Sequence, residues 1–110
     1  MTGDELSMTR ERLDALRARI DALDGEIVAL LNARAGCALE IGRLKEALGL
    51  QIYQPERERA VLSNVRALNP GPLNDDAVQR LFERIIDEAR RLEREAQEAE
   101  RCGHAGGRGD

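Results

Sequence analysis

Arg34 is the residue whose type and position most directly call for chemistry. The apolar residues of the first half are Leu13, Leu16, Ile20, Leu23, Ile27 and Leu30, then Cys37, Ile41, Leu44 and Leu48. They step by three and four, the seam of a long helix packed against other helices. The step between Leu30 and Cys37 lands on Arg34. A cation in a buried seam is costly unless an anion meets it, either an internal carboxylate or a ligand. Register control is the structural alternative.

Other polar residues fall near the same faces. Lys45 comes eleven residues after Arg34, about three turns plus roughly 20°, so the two cations share a face. Arg17 is offset from Arg34 by about 100° around the axis and serves a different neighbour. Arg57 and Glu58 sit one turn before Val61 and Leu62. Glu93 follows Ile86 by seven and Ala89 by four, so it continues an apolar face. Taken singly, each has an ordinary reading. Arg17 is solvated, Lys45 snorkels or complements a helix C-terminus, Arg57 and Glu58 form a first-turn pair, and Glu93 marks where a stripe ends.

Three helices must position these groups. The periodicity predicts the first over about Thr9–Leu48, roughly 60 Å long, with Gly49 as the residue just past its end and Leu50 folding back. Gly25, Gly36 and Gly42 weaken it by about 1 kcal/mol each relative to Ala, and either mark close helix contacts or are tolerated. Residues 50–54 read as extended loop. Pro55 starts a second helix with Gln54 as a weak cap. Its stripe is Val61, Leu62, Val65 and Leu68, and Asn69-Pro70-Gly71-Pro72 stops it. Asn74 caps a third helix, with Asp75 and Asp76 complementing its dipole. That helix carries Val78, Leu81, Phe82, Ile85, Ile86, Ala89 and Leu92 on one stripe and runs to Arg101. One domain spans residues 9–101. Residues 1–8 and 102–110 read as disordered, with Met8 an alternative start and His104 without a role.

Composition bounds the class. Hydrophobic residues make up 42%, charged residues 35% and aromatics 2% of the chain, a mix that predicts an all-α fold rather than a sandwich or barrel. The net charge is −4 and no basic run is present, so no nucleic-acid partner is expected. No apolar stretch approaches the ~20 residues of a membrane span. The first residues lack an apolar signal core, which predicts the cytoplasm. Cys37, on the seam, is expected to be a small buried apolar group that does not pair with Cys102. No metal-ligand cluster, nucleophile triad or glycine-rich phosphate loop is evident, so no rival mechanism presents itself from the residues. A helix of roughly 60 Å cannot be covered by two shorter ones. Its exposed seam predicts a symmetric homodimer with the long helices side by side.

Four blocks in this order, LRARIDALDGEIVALLNAR, EIGRLK, IYQPERE and RLFERIIDEARRLE, resemble the all-helical class of chorismate mutases. The resemblance covers about residues 10–95. It implies an intertwined dimer of three-helix subunits that converts chorismate to prephenate, a Claisen rearrangement on the route to Phe and Tyr, without a cofactor. Carried over by motif, Arg17 reaches into the partner's site, and Arg34 and Lys45 hold carboxylates, with Lys45 also near the ether oxygen. Arg57 and Glu58 lie by the ring, with Glu58 taking the ring hydroxyl, and Glu93 is the second donor to the ether oxygen.

The chain departs from the common bacterial pattern at three of these places. Gln54 stands where aspartate is frequent, and still bonds a hydroxyl. Ala89 stands where serine is frequent, removing one carboxylate contact. Glu93 replaces a frequent glutamine and must be protonated to donate. The alternatives are an isochorismate pyruvate-lyase or an aminodeoxychorismate mutase on the same scaffold, or a non-enzymatic helical dimerisation module.

Overall fold

The computed structural model describes residues 1–107, with side chains described through residue 102. It contains three helices, α1 (Gly3–Ala47), α2 (Pro55–Leu68) and α3 (Asp75–Gly107), and no strand among the described residues. The all-α class read from composition and periodicity is the observed one. None of the described helices is long and apolar enough to cross a membrane. By its contacts the chain divides into two units, Met1–Ala33 and a second beginning at Arg34.

In the first unit, α1 begins at Gly3, six residues before the start read from the apolar periodicity. Residues 3–8 are therefore helical rather than disordered. The cause is a capping box. Glu5 N–H donates to Thr2 Oγ1 and Thr2 N–H donates to Glu5 Oε2, each at 3.2 Å. The pair satisfies two of the amides that a helix start leaves open. The seam of this unit is uncovered within the chain: Ile20 is 54% exposed, Ile27 52% and Leu30 69%.

The second unit holds the end of α1, α2 and α3. Gly49 adopts a left-handed φ of 71°. Leu50 N–H donates to Lys45 O at 2.8 Å and Gly49 N–H to Glu46 O at 3.1 Å. These two bonds form a Schellman turn, and glycine suits it because a side chain resists positive φ. Pro55 opens α2 as its first residues suggested, and Gln54 makes no capping bond with its side chain. Asn74 caps α3 by accepting from Ala77 N–H at 2.7 Å. Between these helices, Asn69 Nδ2 donates to Leu73 O and to Asp75 Oδ1 while its Oδ1 accepts from Gly71 N–H. Arg66 bonds Asp76 at 2.8 Å, tying the end of α2 to the start of α3. That hydrogen bond holds the Asp76 carboxyl below the usual carboxylate range.

The core of this unit is small. Ala38 and Ile86 are its buried apolar residues, joined by Gly42 on α1 and Glu93 on α3. The helix of α3 continues through Gly107, so residues 102–107 extend it rather than forming a separate tail. The His104 side chain and residues 108–110 lie outside the described residues.

Candidate active site

A cavity of about 280 Å³ opens within the second unit, between the end of α1, the 50–54 loop, the start of α2 and the middle of α3. Arg34, Lys45, Gln54, Arg57, Glu58, Ala89 and Glu93 all line it. Local periodicity explains the convergence. Arg34, Ala38, Ile41 and Lys45 follow one face of α1 at helical spacing, and Ile86, Ala89 and Glu93 follow one face of α3. Arg17 belongs to the first unit and is not among the lining residues. Cys37 also lines the cavity and is exposed, not buried as its place on the seam suggested. The adjacent Ala38 is buried, so packing covers one side of α1 here and leaves the Cys37 side open.

Glu93 is the buried acid at the floor, 5% exposed. It accepts from Lys45 Nζ, whose distances to the two carboxylate oxygens are 3.3 and 3.5 Å. Lys45 Nζ also donates to Ile52 O at 2.8 Å. The Schellman turn at Gly49 makes that second bond possible, because it returns the chain toward the last turn of α1. The two interactions hold the ammonium at the cavity wall.

Gly42 explains how Glu93 comes so close. A methyl group there meets Glu93 Cγ at 3.1 Å and Cβ at 3.4 Å, whereas Gly25 and Gly36 have nothing within 4 Å. Of the three glycines that periodicity singled out in α1, Gly42 marks the close helix contact. Gln97 Nε2 reaches the Gly42 carbonyl at 3.4 Å from the same side. Gly42→Ala sets two effects against each other. Helix propensity improves by about 1 kcal/mol, while the Glu93 side chain must yield by a few tenths of an ångström. We expect kcat to fall about tenfold, since small misplacements of a reacting group are costly, with the melting temperature changed by only a few degrees. Steady-state kinetics and thermal melts of Gly42→Ala check both.

The electrostatics favour a dianion. Four cationic side chains (Arg34, Lys45, Arg57 and Arg90) and two acidic ones (Glu58 and Glu93) line the cavity. With both carboxylates ionised the excess is two positive charges, in a chain whose net charge is −4. Among the described residues, neither Arg34 nor Arg57 has a carboxylate within ion-pair distance. Among the described residues, then, no internal acid accounts for Arg34.

Arg90 is the lining cation that sequence reasoning missed. It follows Ile86 by four, a spacing that places it on the stripe, but it stands beside Arg91 in a charged run. Arg91 is the solvated member of that doublet and pairs with Glu95 on the exposed face.

The class defined by this geometry is a small three-helix protein whose second unit holds a cationic cavity around a part-buried lysine paired with a buried glutamate. Residues 16–94 match the family model of chorismate mutase type II, and the chain belongs to that family. It is 48% identical over 69 residues to a bifunctional chorismate mutase/prephenate dehydratase of Neisseria gonorrhoeae, covering 63% of this chain and 18% of the relative. The chain thus spans about a fifth of the length of the curated relatives it matches. Among solved structures, a chorismate mutase of Thermus thermophilus is similar, with a TM-score of 0.74 and 41% identity. That match covers 76% of this chain and 94% of the other. A Helicobacter pylori chorismate mutase in complex with prephenate gives a TM-score of 0.74 at 31% identity, over 80% of this chain and 96% of the other.

Proposed function

We propose that this chain is a chorismate mutase, rearranging chorismate to prephenate without a cofactor, a covalent step or an obligatory proton transfer. The observation that carries the reading is Arg34. It is half-buried beside a cavity with an excess of cations, and no carboxylate of the described residues pairs with it. A substrate with two carboxylates supplies what that cation lacks.

The rearrangement breaks a C–O bond as a C–C bond forms. It needs the enolpyruvyl arm held over the ring in a compact conformer. It also needs donors at the ether oxygen, where negative charge grows. Arg34 and Lys45 bind the carboxylates, and Lys45 also faces the ether oxygen. Glu58 accepts the ring hydroxyl, with Arg57 and Gln54 beside it. Glu93 is the second group at the ether oxygen, and its acid form is the one that donates. Ala89 leaves its part of the wall without a polar contact. Arg17 completes each site from the second subunit of a homodimer. Support for the dimer comes from the uncovered apolar face of the first unit, where Leu13 and Leu16 are each 45% exposed. The setting proposed is the cytoplasm, which suits two free cysteines.

The deciding experiment follows the loss of chorismate absorbance and identifies the product. Isochorismate and aminodeoxychorismate are assayed in parallel. Prephenate from chorismate is the expected result, and turnover of either analogue in preference to chorismate overturns the assignment. A non-enzymatic dimerisation module predicts instead that Arg34→Leu stabilises the fold and that no dicarboxylate raises its melting temperature.

Substitution tests Glu93. An ionised carboxylate cannot donate a hydrogen bond, whereas an amide always can. Glu93→Gln should therefore retain turnover, and Glu93→Ala should lower kcat by about 100-fold or more, the scale for losing one donor at a developing charge. An alanine variant with wild-type kcat removes Glu93 from this role.

A further inference from the structure

Arg90 stands at the meeting point of three elements around the cavity. Its guanidinium lies over the Tyr53 ring of the 50–54 loop, 5.1 Å from the centroid. On α3 it pairs with Asp87, one turn earlier. Toward α2 its Nε lies 3.1 Å from Glu58 Oε2, where the two side chains are 27% and 20% exposed. The separation is that of an ion pair, but the Nε–H does not point at the oxygen, and this buried donor has no hydrogen-bond partner. Asp87 and Tyr53 therefore hold the guanidinium by its end and its face, and leave its Nε edge turned toward Glu58. An aromatic face and a carboxylate on two other elements restrict a side chain that is otherwise rich in rotamers.

We propose that Arg90 is a positioning residue for Glu58: it fixes the orientation of the Glu58 carboxylate and keeps it an acceptor for the ring hydroxyl of the substrate. This inference rests on the chorismate mutase reading. The physical need is clear from the charges. Glu58 is a carboxylate in a cavity that receives a dianion, and repulsion between like charges works against a fixed orientation toward the ligand. Arg57, its neighbour in sequence, makes no ion pair with it among the described residues. Arg90 is the cation at contact distance. At 3.1 Å the contact is coulombic, and it holds the carboxylate beside the guanidinium without a hydrogen bond. The hydroxyl is on the ring carbon next to the one whose C–O bond breaks, but it is not itself a reacting group. Its contact is made in the ground state and in the transition state alike, so its loss falls on KM.

The test is a double-mutant cycle with Arg90→Met, which keeps most of the apolar stem, and Glu58→Gln. Circular dichroism and thermal melts establish that each variant folds. Arg90→Met should raise KM for chorismate about tenfold and leave kcat within about threefold of wild type. In the Glu58→Gln background the same substitution should change KM by less than about twofold, because the carboxylate it serves is gone. Equal KM effects in both backgrounds, or a loss confined to kcat, overturn the positioning role. So does a variant that fails to fold in the Arg90→Met single mutant while Arg90→Lys, which retains the charge, folds and binds no better than Arg90→Ala. Failure of the underlying reading looks different: wild-type protein then yields no prephenate at all, and the inference falls with it.

Discussion

Replacing Arg34 with alanine is expected to lower kcat/KM by at least ~100-fold, the scale for losing one preorganised charged donor. The argument starts from its lack of an internal partner. Breaking a buried ion pair strands the second charge and destabilises the fold. Arg34 has no such partner among the described residues, so nothing is stranded when it is removed. Alanine is also a strong helix former and suits the middle of α1. The variant should therefore remain helical and melt near or above the wild-type temperature while losing the substrate's carboxylate contact. Steady-state kinetics with thermal melts separate the two effects. Wild-type turnover in Arg34→Ala would sink the assignment.

Complementation between Arg17→Ala and Arg34→Ala has the larger expected signal, a return of activity from two nearly inactive proteins. On one helix these side chains point about 100° apart, so a single chain is poorly placed to bring both to one ligand. In the proposed two-fold dimer each site is expected to take Arg17 from one chain and Arg34 from the other. The two variants are mixed in equal amounts under mild denaturant and refolded. Random assembly makes about half of the dimers mixed, each with one intact site and one doubly mutated site, so activity returns to about a quarter of wild type per total site. If one chain supplied both arginines, no mixed dimer would contain an intact site. Mixed dimers demonstrated by mass, without recovered activity, would falsify the shared site.

The three helices were legible in the sequence, although α1 starts earlier and α3 ends later than the residues read. Gly49, Pro55 and Asn74 occupy the turn, first-residue and capping positions that their types suggested. The missed start of α1 was legible too: Thr2 and Glu5 form a capping box, a signal that apolar periodicity does not register because those residues are polar. Seven of the eight site residues read from the sequence gather around one cavity. Their faces follow from a helical period of 3.6 residues, which is a local property of the backbone.

Tertiary structure decided which charges meet. Periodicity places Lys45 and Glu93 on inward faces, but only the approach of α3 over Gly42 pairs them across 48 residues of sequence. It likewise left open whether a carboxylate would neutralise Arg34. That depends on how the helices are rotated and spaced, and in this chain no described acid arrives within reach. Arg90 is the clearest case. It stands beside Arg91 in the sequence, and the packing of α2 and the 50–54 loop turned Arg90 toward Glu58 and Tyr53 and left Arg91 in solvent. Sequence by itself determined the helices, their caps and the faces that carry the charges, because those follow from backbone periodicity and local hydrogen bonding. Pairing among the charges was decided only by tertiary structure, because an ion pair requires contact distance between side chains on different helices and local spacing carries no information about that distance.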